Sequence, residues 1–129
     1  SINYNDALSC NYEWTDLRDL KERAKEFLSN PNDDPNLPEK EEMEIEGLGT
    51  YRVSKGVISL LNDRGTSYDM YFRVQNELAA AINELRNELA MEKFHKNYAD
   101  LNEPQKEAIG KAIPVPISEA EPKNIGGTN

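Results

Sequence analysis

The sequence holds one histidine, His95, and one cysteine, Cys10. Nucleophilic chemistry would require a thiol or hydroxyl with a base beside it and a third group to orient that base. Cys10 falls in an ordinary strand pattern, with no glycine elbow or helix start next to it to lower its pKa, and no partner for His95 is evident in the sequence. CxxC and HExxH are absent, as is a phosphate-cradling glycine loop, since Gly47 and Gly49 frame Leu48 without preceding a helix. Asp63 and Arg64 stand where a strand turns into a helix, a place where α/β enzymes put active groups, but no second carboxylate or histidine accompanies them. An adjacent ion pair followed by a Gly65 turn accounts for them. The carboxylates of Glu39 to Glu46 could attract a cation, yet they lack the ordered oxygen spacing and turn glycine of a calcium loop. The expectation is a non-enzymatic protein with no cofactor, no metal and no small-molecule substrate.

The elements that position these residues follow from periodicity. Val57, Ile58, Leu60 and Leu61 form a short apolar run bounded by Gly56 and Asn62-Asp63, which reads as the end of a strand over 51–61. Thr66 or Ser67 then caps a helix running to about Lys93, roughly 40 Å long at 1.5 Å per residue. Its expected buried stripe is Tyr68, Tyr71, Gln75, Leu78, Ile82, Leu85 and Leu89, widened by Phe72, Val74, Ala79 and Ala81. The stripe covers a sheet and its far end meets a later helix, because the heptads are too few for a dimeric coiled coil.

At 129 residues the chain suits a single domain over 1–122, with a mobile tail over 123–129. Its net charge of −9, without a basic stripe, argues against nucleic acid and anionic lipid. One cysteine allows no internal disulfide. The start at Ser1 reads as a trimmed fragment whose anchor has been removed.

In chain order, Ile2-Asn3 and Ala7–Trp14 read as a hairpin around Tyr4-Asn5-Asp6, with alternation along the second strand. Thr15 caps a helix over 16–28 whose stripe is Leu17, Leu20, Ala24, Phe27 and Leu28, ended by Ser29-Asn30-Pro31. Residues 30–46 are proline-rich and then acidic, and read as an exposed loop insert. Phe94, Tyr98 and Leu101 anchor a helical extension over 94–113, in which Asn102 and Gln105 form a capping box and Pro104 sits in the first turn. Pro114-Val-Pro-Ile117 lacks two donors, so it belongs at a sheet edge or in an extended arm.

This order of hairpin, helix, strand ending in Asp-Arg, long helix and edge strand resembles the periplasmic domain of the ExbD/TolR family of biopolymer transport proteins. The family pattern of an apolar strand ending in Ala-Asp-Arg, a short turn and a helix-opening Tyr stands here as Val57-Ile-Ser-Leu-Leu-Asn-Asp-Arg-Gly-Thr-Ser-Tyr68. Residues 58–86, Trp14-Thr-Asp-Leu-Arg18, Ile117-Ser-Glu-Ala-Glu-Pro122 and the Asn-Pro-Asn-rich insert are similar to ExbD variants of Bacteroidetes. The acidic insert and the segment from Phe94 to Ile113 depart from the compact pattern.

The resemblance implies the periplasmic domain of a single-pass inner-membrane accessory subunit. With an ExbB-like channel subunit, reached through a transmembrane segment absent from this sequence, it would energise a TonB-like protein using the proton motive force. It further implies a homodimer and a sheet edge offered to a partner strand. Partner contact is then expected at Asn62, Asp63, Arg64 and Tyr68 at the junction, and at Val115 and Ile117 by edge pairing. A TolR-like peptidoglycan tether is the alternative. The fold expected is α+β: a small mixed sheet from residues near 2–3, 7–14, 51–61 and 114–118, two main helices on one face, and a short C-terminal helical segment.

Overall fold

The computed structural model of the chain describes residues 2–3, 7–10, 17–61 and 67–120. The fold is α+β, with a four-stranded mixed sheet, two long helices on one face of it, and a hairpin joined to a short C-terminal helix. Strands β1 (Ile2–Asn3), β2 (Ala7–Cys10), β5 (Val57–Leu61) and β6 (Ile117–Ala120) lie in the order β1-β2-β5-β6. The β1–β2 pair is antiparallel, while β2–β5 and β5–β6 are parallel, with Leu8 opposite Ile58 and Ile58 opposite Ile117. The expected hairpin turn at 4–6, strand residues 11–14 and the Thr15 cap lie outside the described residues.

Along β5 the side chains alternate. Ile58 and Leu60 are fully buried, whereas Val57 is exposed and Ser59 half-buried. One face of the sheet therefore meets the helices, as period-two geometry requires. Helix α1 (Leu17–Ser29) contributes Leu20, Ala24, Phe27 and Leu28 to this core, and helix α2 (Tyr68–Phe94) contributes Met70, Val74, Leu78, Ala81 and Ile82.

Helix α2 starts where its cap dictates: the Ser67 side chain accepts from the Met70 N–H at 3.0 Å. Its buried stripe differs at the first turns from the one read in the sequence. Tyr68 is 80% exposed and Phe72 is half-exposed; Met70 fills the interior instead, beside Val74, which the expected stripe includes. Tyr68 and Phe72 are four residues apart and stack on each other outside, 6.0 Å between centroids and 18° between planes. Both registers are apolar on a helical wheel, so periodicity alone does not choose between them. The aliphatic register wins inside, and the aromatic pair satisfies itself at the surface.

The expected single strand over 51–61 is two strands in two sheets. Ser54 Oγ accepts from the Gly56 N–H at 3.1 Å, a local turn that breaks the ladder. Gly56 is held so closely that a β-carbon there would come within 3.0 Å of Phe27 Cε2 and of Pro38 Cγ. The acidic stretch is corrected too. Rather than a loop, Lys40–Ile45 is strand β3, paired antiparallel with β4 (Gly49–Ser54). Register makes the acidic composition tolerable. Glu42 stands opposite Arg52, Glu44 stands opposite Thr50 and accepts from its hydroxyl at 2.8 Å, and Ile45 and Val53 are buried. Gly47 and Gly49, with φ of 95° and 84°, make the turn that closes the hairpin.

The far end of α2 passes beyond the sheet and into a second core. Leu89 and Ala90 pack there with Ile45 and Val53 of the hairpin, Leu101, and Ala108, Ile109 and Ala112 of helix α3 (Glu103–Ala112). Phe94 and Tyr98 pack against this cluster, as the sequence suggested, and Ile113 packs against both cores. The capping box is present: Asn102 Oδ1 accepts from the Gln105 N–H at 2.9 Å, and Gln105 Oε1 from the Asn102 N–H at 3.1 Å.

Charge also joins the two long helices. Lys25 of α1 reaches Glu84 at 2.9 Å and Glu88 at 2.8 Å on α2, and Lys21 also pairs with Glu84. Hydrogen bonds from Lys21 and then Lys25 hold the Glu84 carboxyl below its usual 4.5, and those to Glu88 and Glu84 push Lys25 above its usual 10.5. The signs fix a window. The Glu84 contribution is present above pH 4.5 and is lost as pH falls through the depressed value. The Lys25 contribution is present below pH 10.5 and is lost as pH rises through the raised one. Denaturant midpoints measured across pH should therefore fall more steeply below pH 4.5 in the wild type than in Glu84→Gln, which has already lost that acid-sensitive part. Parallel acid limbs for the two proteins would assign the fall to other carboxylates.

Candidate functional site

Of the residues expected to meet a partner, Asn62, Asp63 and Arg64 lie outside the described residues. Tyr68, the first residue of α2, is exposed and stacked on Phe72. Beside this pair, Asp69 Oδ2 accepts from Arg73 Nε at 3.1 Å on the next turn. Phe72, which the sequence reading placed at the margin of the buried stripe, is thus part of an exposed aromatic pair. The helical spacing of Tyr68 and Phe72 gives no sign of this, and only the packing of Met70 and Val74 decides it.

Val115 and Ile117 are at the other end of the sheet. Ile117 pairs with Ile58 at the start of β5, whereas the Asn62–Arg64 junction follows the end of that strand.

The edge at Ile117 has a definite hydrogen-bonding pattern. The Ile58 N–H donates to the Pro116 carbonyl at 2.8 Å. In a parallel ladder the same residue of β5 then addresses residues 116 and 118, so the main-chain N–H and C=O of Ile117 point away from β5. Among the described residues no strand lies on that side, and β6 is an edge of the sheet. Pro116 fits this arrangement because it supplies the carbonyl, the one ladder group a proline has. The strand expected near 114–118 is instead Ile117–Ala120, since Pro114 and Pro116 lack the ladder N–H, so Val115 falls just before it, outside the pairing with β5, and is 64% exposed. The approach is held from behind by Arg86, whose Nε donates to the Ile113 carbonyl at 2.9 Å.

A second polar cluster lies at the base of the hairpin. Arg52 grips Asp33 with two nitrogens, at 3.0 and 3.2 Å, and Lys40 stands 3.8 Å from the same carboxylate. The Arg52 hydrogen bond holds the Asp33 carboxyl below its ordinary range. Nearby, Tyr51 is half-buried, and burial, with Glu92 adding to it, pushes its phenol up.

His95 is exposed and serves α2 through its backbone: in the left-handed region at φ 60°, its N–H closes the helix onto the Met91 carbonyl. Cys10 is on β2, opposite Leu60. Among the described residues, no group of three or more His, Cys, Asp or Glu side chains is placed to hold a metal ion. Among them, too, no helix is long and apolar enough to cross a membrane. No family model, curated protein or solved structure matches the chain.

Proposed function

We propose that this chain is the periplasmic part of an ExbD/TolR-type accessory subunit, a non-enzymatic coupling module in a proton-motive-force-driven complex that supports outer-membrane transport. The observation that carries this reading is the edge strand β6, whose Ile117 main chain points away from the sheet and is open to pairing among the described residues. It gives a partner strand donors and acceptors that bind without reading sequence, while the neighbouring side chains supply selectivity. The resemblance of residues 57–68 to the family pattern supplies the context: a TonB-like protein as the partner at this edge, an ExbB-like channel subunit engaged through a transmembrane segment, and a homodimer as the assembled form. The exposed aromatic pair Tyr68 and Phe72 lies in the first turns of α2, and a second contact of the same complex would fall there.

The test is a pull-down at moderate salt with the periplasmic segment of the cognate TonB-like protein. Ile117→Pro removes an outward N–H and leaves the Ile58 to Pro116 bond in place, so it should fold and lose capture, while Ile117→Val should keep it. Capture that survives Ile117→Pro defeats edge pairing. Absence of capture, with co-sedimentation on purified sacculi instead, replaces the coupling reading by that of a peptidoglycan tether.

A further inference from the structure

A cavity of about 430 Å³ opens between the hairpin and the body of the fold, within the size range of ligand pockets. Leu28, Leu85, Leu89 and Ile113 give it apolar walls. Tyr51 and Arg52 both line it, although consecutive residues of a strand point to opposite faces. A space reached from both faces of β4 lies off that strand's edge.

The hairpin register says which main-chain groups face this edge. The Lys55 N–H donates to the Glu39 carbonyl at 3.0 Å, and Val53 is opposite Glu41 and Tyr51 opposite Met43. The odd-numbered residues of β4 thus turn their N–H and C=O toward β3, and Thr50, Arg52 and Ser54 turn theirs outward, toward the cavity side. Among the described residues the two-stranded sheet ends there. Across the gap stand Val57, 38% exposed, and Val115, 64% exposed.

Each charged side chain lining the cavity stands in an ion pair: Arg52 and Lys40 share the Asp33 carboxylate, Lys55 pairs with Glu39 at 3.2 Å, Glu88 is held by Lys25, and Glu92 lies 3.8 Å from Lys93. An ionic ligand would have to break these pairs, whereas an extended main chain would not.

We propose that the outer edge of β4 accepts an extended, uncharged peptide segment of a partner protein as a third strand of the hairpin. The segment hydrogen-bonds to the Arg52 main chain and lays an apolar side chain against Leu85, Leu89 and Ile113. This edge belongs to the hairpin and not to the four-stranded sheet, so the inference does not rest on the coupling function or on β6.

The test is a titration of the isotope-labelled chain, followed by amide NMR, with an end-blocked heptapeptide alternating valine and threonine. Saturable shifts are expected at Arg52, Val57, Ile113 and Val115. Proline is tolerated at an outward-facing edge position, so Arg52→Pro should fold and weaken binding about tenfold, the cost of one main-chain bond, while Arg52→Ala keeps the N–H and stays within about twofold. Val115→Asp, at an exposed position that folding does not require, should weaken binding by about tenfold as well. Raising salt should leave the affinity unchanged. The proposal is overturned if Arg52→Pro binds as the wild type does, if the shifts centre on Ile117, if salt abolishes binding, or if no saturable shift develops in the millimolar range.

Discussion

Leu78→Ala lowers the unfolding free energy of the protein by about 3 to 5 kcal/mol, a large share of the 5–15 kcal/mol typical of a domain. Leu78 is fully buried, at the point where the aliphatic register of α2 meets α1 and β5 in the first core. Truncation removes apolar atoms from a close-packed interior and leaves a void that two long helices, clamped by Lys21, Lys25, Glu84 and Glu88, cannot close easily. Ile109→Ala removes a similar volume from the second core, which shares α2 and the side chain of Ile113 with the first. Both variants should therefore unfold in one transition, seen alike by far-UV circular dichroism and by tyrosine fluorescence. Two separated transitions in Ile109→Ala would show that the hairpin and α3 melt apart from the sheet.

The second large effect is at Asn30, the buried polar residue that ends α1. Its φ of 38° is in the left-handed region, which asparagine tolerates better than most residues, and its N–H caps Glu26. Its side chain then organises the chain that follows. Oδ1 accepts from the Asp34 N–H at 2.8 Å, and Nδ2 donates to the carbonyls of Asp34 and Pro38, both at 3.1 Å. Asn30→Ala loses all three bonds and adds backbone strain, for about 3 kcal/mol in total. Asn30→Gly should recover about 1 kcal/mol of that, the conformational part. Asn30→Asp should be at least as harmful as alanine, because it cannot donate and would place a carboxylate against two carbonyl oxygens. Denaturant midpoints of the three variants test this ranking, and a Gly variant equal to Ala would remove the conformational share.

Asn30 also illustrates what the sequence could tell. Its position before Pro31 announces the end of α1, and that much is legible because capping and proline effects are local. The same holds for the Ser67 cap, the Asn102–Gln105 box and the edge position of the proline-flanked strand. The bonds from Asn30 to Asp34 and Pro38 are not legible, since they depend on the path of a loop that nothing local specifies. The β3–β4 hairpin was hidden for another reason. Its acidic residues read as solvated loop when taken singly, and only the cross-strand partners Arg52 and Thr50 make a strand of them. Gly47 and Gly49 were the available signal, as turn glycines and not as a failed phosphate loop. Of the expected contact residues, Tyr68 has the spacing of the buried stripe, and only packing separates it from the register of Met70 and Val74 that is buried.

The parallel pairing of β5 with β6 also governs how the molecule is assembled. The hairpin joins neighbours in sequence and can close within microseconds, but Ile58 must wait for Ile117, which follows α2 and α3 in the chain. Until β6 arrives, β5 has a bare side and the sheet a temporary vacancy. A chain emerging from synthesis N-terminus first would carry that vacancy until Ile117–Ala120 were free, and in that interval any strand nearby, from a second copy or from a chaperone, competes for the place of β6.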